Sequence, residues 1–211
     1  MTGTAVALLV GTLLVAVVDW FAVATDRRPL EYVAKPATMV LLIAAALAID
    51  PSDDTQRTWF VVALVLSLAG DVFLMLPRDL FVAGLASFLL GHLAYIVGLW
   101  SVETSAAGLA IGAAVIAVAL PLLGLRILRA VRAGEEPELL APVAVYVLVI
   151  SAMVVSAGAS GSGLALVGAV SFYASDALIA WNKFIEELPR GRLAIMVTYH
   201  LAQVALVVSL A

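Results

Sequence analysis

The stretch ALVLSLAGDVFLMLP, residues 63–77, is apolar almost throughout, yet it holds one carboxylate, Asp71. About a hundred residues later GAVSFYASDALIAW, residues 168–181, repeats the arrangement with Asp176. How these runs are read decides the fold. Each belongs to an apolar run of about twenty residues rich in Ala, Leu and Val. That is the length of a membrane-crossing helix, and neither run shows the ten-residue alternation of a barrel strand.

The rest of the chain agrees. Of 211 residues, 64% are hydrophobic and 12% charged, and the mean hydropathy is +1.16. A water-soluble fold needs more polar surface than this. In a bilayer the backbone must satisfy its own hydrogen bonds, which leaves helices for runs of this kind. The chain has no cysteine, so disulfides and thiolate metal sites are excluded. Its net charge is −4 and its basic residues are scattered, which gives no nucleic-acid footprint. The opening MTGTAVALLVG lacks the basic start of a signal peptide and reads as the first span.

Polar connectors divide the chain into eight expected spans, near 4–24, 33–49, 58–76, 79–100, 106–128, 139–157, 163–183 and 192–210. No connector is long enough for a further domain, so the expectation is one all-α polytopic bundle over residues 1–211. Arg27, Arg28, Lys35, Arg78, Arg126, Arg129, Arg132, Lys183, Arg190 and Arg192 fall on one side, and Arg57 alone on the other. The positive-inside rule then turns the first side to the cytoplasm and both termini outward. A four-plus-four parallel duplication is a further expectation. Pro36 precedes Asp71 by 35 residues and Pro142 precedes Asp176 by 34, while GHLAY (91–95) echoes YHLAQ (199–203).

At a rise of about 1.5 Å per residue, Asp71, Asp176, Ser87, Tyr146, Tyr199 and His200 lie roughly 8–12 Å below the cytoplasmic edge, and Gln203 about 17 Å. Asp19 is at a similar depth, about 8 Å, and Lys35 sits at the mouth of the second span. His92, about 20 Å down, reads as a packing or hydrogen-bonding histidine. A charge in lipid costs several kcal/mol, so such groups turn inward and find partners. Together they imply a polar pocket in the cytoplasmic half of the membrane. For the two aspartates the alternative is a structural ion pair with Lys35. For Ser87 and Tyr146 it is hydrogen bonding between helices.

In order along the chain come KP (35–36), GDVFLMLP (70–77), FVAGLASFLLGHLAY (81–95), GAVSFYASDALIAWNKF (168–184) and YHLAQ (199–203). This series resembles the YhhN-like family, which includes the lysoplasmalogenases. The resemblance implies an eight-helix membrane hydrolase that cleaves the vinyl ether of a lysoplasmalogen to a fatty aldehyde and glycerophospho-ethanolamine or -choline. Asp71 and Asp176 fall on its acidic positions and are the expected catalytic pair. Lys35, Ser87, Tyr146, Tyr199, His200 and Gln203 are the expected substrate contacts, with Lys35 drawing the lipid phosphate. The chemistry calls for general-acid protonation of carbon followed by water attack, with no metal and no cofactor. The expected partners are a lysophospholipid and membrane lipid, and the expected home is a bacterial inner (plasma) membrane. Two rivals stand beside this reading. One is a metal-dependent lipid amidase, strained by only two histidines at different depths. The other is a small transporter or lipid-binding protein, since buried acids also mark proton relays.

Overall fold

The computed structural model describes residues 1–76 and 80–211. Arg78, counted above among the cytoplasmic charges, and the expected start of the fourth span at 79 lie outside the described residues. Those described form helices and connectors, with no strand. The order is α1 (Gly3–Ala24), α2 (Arg28–Ala48), α3 (Asp54–Met75), α4 (Phe81–Leu99), α5 (Ala106–Ala119), a π turn (Leu120–Gly124), α6 (Leu125–Ala133), a 3-10 turn (Pro137–Leu139), α7 (Leu140–Ala159), α8 (Gly163–Phe184) and α9 (Gly191–Val208). With α5 and α6 taken as one crossing, eight helices are long and apolar enough to span a membrane. The chain is an integral membrane protein.

Helix starts follow local chemistry. Thr2, Asp53, Ser105 and Ser162 each accept a backbone N–H of the first turn that follows. Pro29 sits in the first turn of α2, where its missing N–H costs nothing. Three helices run further than hydropathy suggests. Helix α2 begins at Arg28 rather than 33, α3 at Asp54 rather than 58, and the fifth crossing reaches Ala133 rather than 128. Their polar turns end the apolar signal but not the helical period. In α6, Ile127 and Val131 are buried while Arg126, Arg129 and Arg132 are exposed.

Close approach of backbones depends on small residues. A Cβ on Gly108 of α5 would fall 2.1 Å from the Gly158 carbonyl oxygen of α7. One on Gly70, beside Asp71, would meet the Phe88 ring of α4 at 2.7 Å. The most extensive contacts are α3 with α4, α1 with α2, α8 with α9 and α5 with α7. The neighbours therefore repeat: α1–α2–α3–α4 in the first half corresponds to α5–α7–α8–α9 in the second. Across the halves, α2 meets α9 as α7 meets α4. The symmetry is broken where α1 rests on α9, since α5 has no comparable contact with α4. Tyr95 and Gln203, matched in the GHLAY/YHLAQ echo, touch each other: the Tyr95 hydroxyl donates to Gln203 Oε1 at 2.5 Å. A two-fold relation brings equivalent positions together in this way.

Candidate active site

Each aspartate is held from two helices, and the helices correspond. Asp71 on α3 accepts from Lys35 Nζ of α2 at 3.0 Å and from the Tyr199 hydroxyl of α9 at 2.7 Å. Asp176 on α8 accepts from the Tyr146 hydroxyl of α7 at 2.5 Å and lies 3.1 Å from His92 Nε2 of α4. Thus α2 and α9 serve one carboxylate, and their counterparts α7 and α4 serve the other. Pro36 follows Lys35 directly and removes one backbone bond from α2 beside the ion pair.

The pairing differs in one respect that matters chemically. Both oxygens of Asp71 are engaged, Oδ1 by Lys35 and Oδ2 by Tyr199. On Asp176, Oδ2 takes both partners, while Oδ1 makes no hydrogen bond to a described residue. His92 Nε2 is also 2.9 Å from the Tyr146 hydroxyl, whose own proton goes to Asp176. That arrangement assigns the imidazole proton to Nε2.

Two cavities meet at Asp176. The first, the polar cavity, is about 360 Å³ and sets charged groups between apolar walls: Lys35, Asp71, Asp176, Ser175 and Tyr199 lie at its base and Arg28, Glu31, Asn182, Lys183 and Arg192 toward the charged end of the bundle, with Leu74, Phe88, Ile179, Ile195 and Met196 between them. The second is an apolar recess of about 60 Å³ between α4, α6, α7 and α8, walled by Leu85, Ile127, Val147, Ile150, Tyr146 and Asp176 among others. Their lining residues run from the charged end of the bundle to its middle, reached at Ile150, Tyr173 and Tyr199.

At the mouth, the Arg192 guanidinium grips both Glu31 oxygens, at 2.7 and 3.0 Å, and reaches Asp26 at 3.1 Å. Asp26 and Arg190, in the two connectors at this end, both hold left-handed backbone, with φ of 53° and 58°. Non-glycine residues adopt it sparingly, and sites are where it tends to persist.

The structure gathers five of the expected residues at the cavities: Lys35, Asp71, Asp176, Tyr146 and Tyr199. The other three lie in helix contacts behind them. Ser87 donates to the Leu66 carbonyl, tying α4 to α3. His200 Nδ1 accepts from Trp20 Nε1 at 3.1 Å, and Gln203 is bound by Tyr95. Asp19 is fully buried on α1 and lines neither cavity. The residue that sequence reasoning set aside is His92. With the observed helix limits, its depth differs from that of Asp176 by only about 4–5 Å, which side chains bridge. The two histidines serve different neighbours, Asp176 and Trp20. Among the described residues no three His, Cys, Asp or Glu side chains are grouped for a metal.

Comparison with known proteins agrees with the motifs. The YhhN family model matches residues 30–210. Human lysoplasmalogenase TMEM86B is 37% identical over 147 residues, which cover 70% of this chain and 61% of that protein. A lysoplasmalogenase of Mycobacterium tuberculosis is 38% identical over 154 residues, 71% of this chain and 58% of its own. Mouse lysoplasmalogenase TMEM86B is 31% identical over 172 residues, 81% and 71% of the two chains. The matched region spans about three fifths of the length of the human and mycobacterial relatives. No solved structure matches this chain.

Proposed function

This chain belongs to the YhhN family, and we propose that it hydrolyses the vinyl ether of a lysoplasmalogen, releasing a fatty aldehyde and glycerophospho-ethanolamine or -choline. The observation that carries the proposal is Asp176 standing where a polar cavity meets an apolar recess. A vinyl-ether lysolipid has its reactive bond at the same junction, between a charged head and a hydrocarbon chain. The head group occupies the polar cavity, among Arg28, Lys183 and Arg192. The start of the alkenyl chain enters the recess.

In this reading Asp176 is the general acid. Tyr146 and His92 both address Oδ2, so a carboxyl proton has Oδ1 as its place, free of partners among the described residues. It passes to the β-carbon of the vinyl ether as the C=C π bond opens, which leaves an oxocarbenium ion. Asp71, with both oxygens bound by donors and one of those a lysine, is the carboxylate that faces this cation. Water then adds to the cationic carbon and returns a proton to Asp176. The hemiacetal breaks its C–O bond, and the alcohol oxygen takes the hydroxyl proton. Glycosidases divide labour between two carboxylates in the same manner. A through-path for transport would need lining residues from both ends of the bundle, and these two cavities run from the charged end to its middle.

The test is direct. Purified protein in detergent, given lysoplasmenylethanolamine, is expected to release aldehyde, and the saturated alkyl-ether analogue is expected to stay intact. No aldehyde from the vinyl ether, or equal cleavage of both lipids, would overturn the proposal.

A further inference from the structure

The fifth crossing is longer than the bilayer core requires. Ala106–Ala133 is 28 residues, or about 42 Å of helix, against a hydrocarbon core of about 30 Å and roughly 40–45 Å with head groups included. Counted from Ala106, the core is crossed after about twenty residues, near Arg126. Arg129 and Arg132 follow about 4.5 and 9 Å further along the helix, within the head-group layer. All three are exposed, and none has a hydrogen bond or ion pair among the described residues. At spacings of three they form one ridge on α6, with Ile127 and Val131 on the buried side.

Among the described residues no neighbouring acid is ion-paired to this ridge. Glu135, Glu136 and Glu138 lie in the connector beyond α6, and Glu136 is taken by Lys183 at 2.7 Å. The ridge is arginine throughout. A guanidinium presents a planar fork that matches phosphate oxygens, which an ammonium does not.

We propose that Arg126, Arg129 and Arg132 form a binding site for the head group of an anionic phospholipid in the leaflet that meets the charged end of the bundle. The site has a structural consequence. The buried side of the same helical turns, Gly124 and Ile127, walls the apolar recess beside Asp176. Few residues of the crossing are fully buried, Gly112 in α5, Gly124 in the π turn and Ile127 and Val131 in α6, and its firmest contact, α5 on α7, lies away from the ridge. A lipid on the ridge therefore fastens the outer wall of the recess. This rests on the membrane placement of the chain and not on the ether-hydrolase reading, so either can fail without the other.

The experiment uses the full chain in nanodiscs of phosphatidylcholine with about a third phosphatidylglycerol, followed by native mass spectrometry of the lipid retained. Wild-type protein is expected to retain phosphatidylglycerol at about fivefold excess or more over its share of the bilayer. Its melting temperature is expected to rise relative to pure phosphatidylcholine. R126Q/R129Q/R132Q is expected to lose both effects, and R126K/R129K/R132K to lose most of the excess. No excess in the wild type, an undiminished excess in the Gln variant, or a full excess in the Lys variant would each overturn the site. The wild-type measurement alone decides the matter if a variant fails to fold.

Discussion

Lys35 Nζ lies 3.0 Å from Asp71 Oδ1, and both side chains are almost wholly buried. The pair joins α2 to α3 at the floor of the polar cavity and sets an ammonium against Asp71. It has a structural role and a proposed catalytic one, which mutation can separate. Lys35→Ala leaves an uncompensated buried charge and is expected to cost about 3–5 kcal/mol of stability. Lys35→Met combined with Asp71→Leu removes both charges and is expected to recover most of that loss, with no recovery of hydrolysis. Thermal unfolding and aldehyde release, measured on the same samples, check the two halves.

His92 is expected to act as a positioning residue for Asp176. His92→Ala removes one of two donors to Oδ2, a hydrogen bond worth about 1–3 kcal/mol to a charged group. The expected result is a fall of roughly ten- to hundredfold in kcat with KM little changed. Tyr146→Phe is expected to act in the same direction. A rise in KM at constant kcat in either variant would move these residues from the acid to substrate binding.

Arg192 is expected to govern the head group. Arg192→Ala breaks the grip on Glu31 and removes a cation from the cavity mouth. KM for the lysolipid is expected to rise by about tenfold or more, with kcat largely retained. Steady-state kinetics with one lysolipid at several concentrations is sufficient to see it.

The α5–α7 contact gives a prediction about stability alone. Gly108→Leu places a side chain where the backbone of Gly158 already stands. A loss of about 1–3 kcal/mol is expected, read as a lower melting temperature. Gly3→Leu, where a Cβ would meet nothing, is expected to have little effect.

Much of this molecule was legible before any coordinates. Apolar runs of span length gave the eight crossings, because a bilayer leaves the backbone few options. Asp71 and Asp176 stood out because carboxylates are costly in lipid. Their partners were harder to assign. Depth along a helix says nothing of which way a side chain turns, so Ser87 and His200 stand level with the site and Gln203 beneath it, although all three bind neighbouring helices. His92 looks too deep when counted from 79 and Asp176 too shallow when counted from 183; counted from Phe81, where α4 is described, and Phe184, the end of α8, they come closer. Glu31 falls in the first connector by hydropathy, since an apolar scale stops counting where α2 is already helical, and Arg192, at the first position of the last expected span, counts there only as a cytoplasmic charge. The correspondence of α2 and α9 with α7 and α4 around the two aspartates was present only as weak echoes, Pro36 with Pro142 and His92 with His200.

The central claim is that Asp176 delivers a proton to carbon. Hydrolysis of lysoplasmenylethanolamine in deuterium oxide, with the aldehyde trapped at once and weighed by mass spectrometry, tests it most directly. Wild-type protein is expected to yield aldehyde carrying one deuterium at carbon 2, and Asp176→Asn to be slower by about 10²-fold or more. Aldehyde without that deuterium, or an Asp176→Asn variant at full rate, would contradict the account.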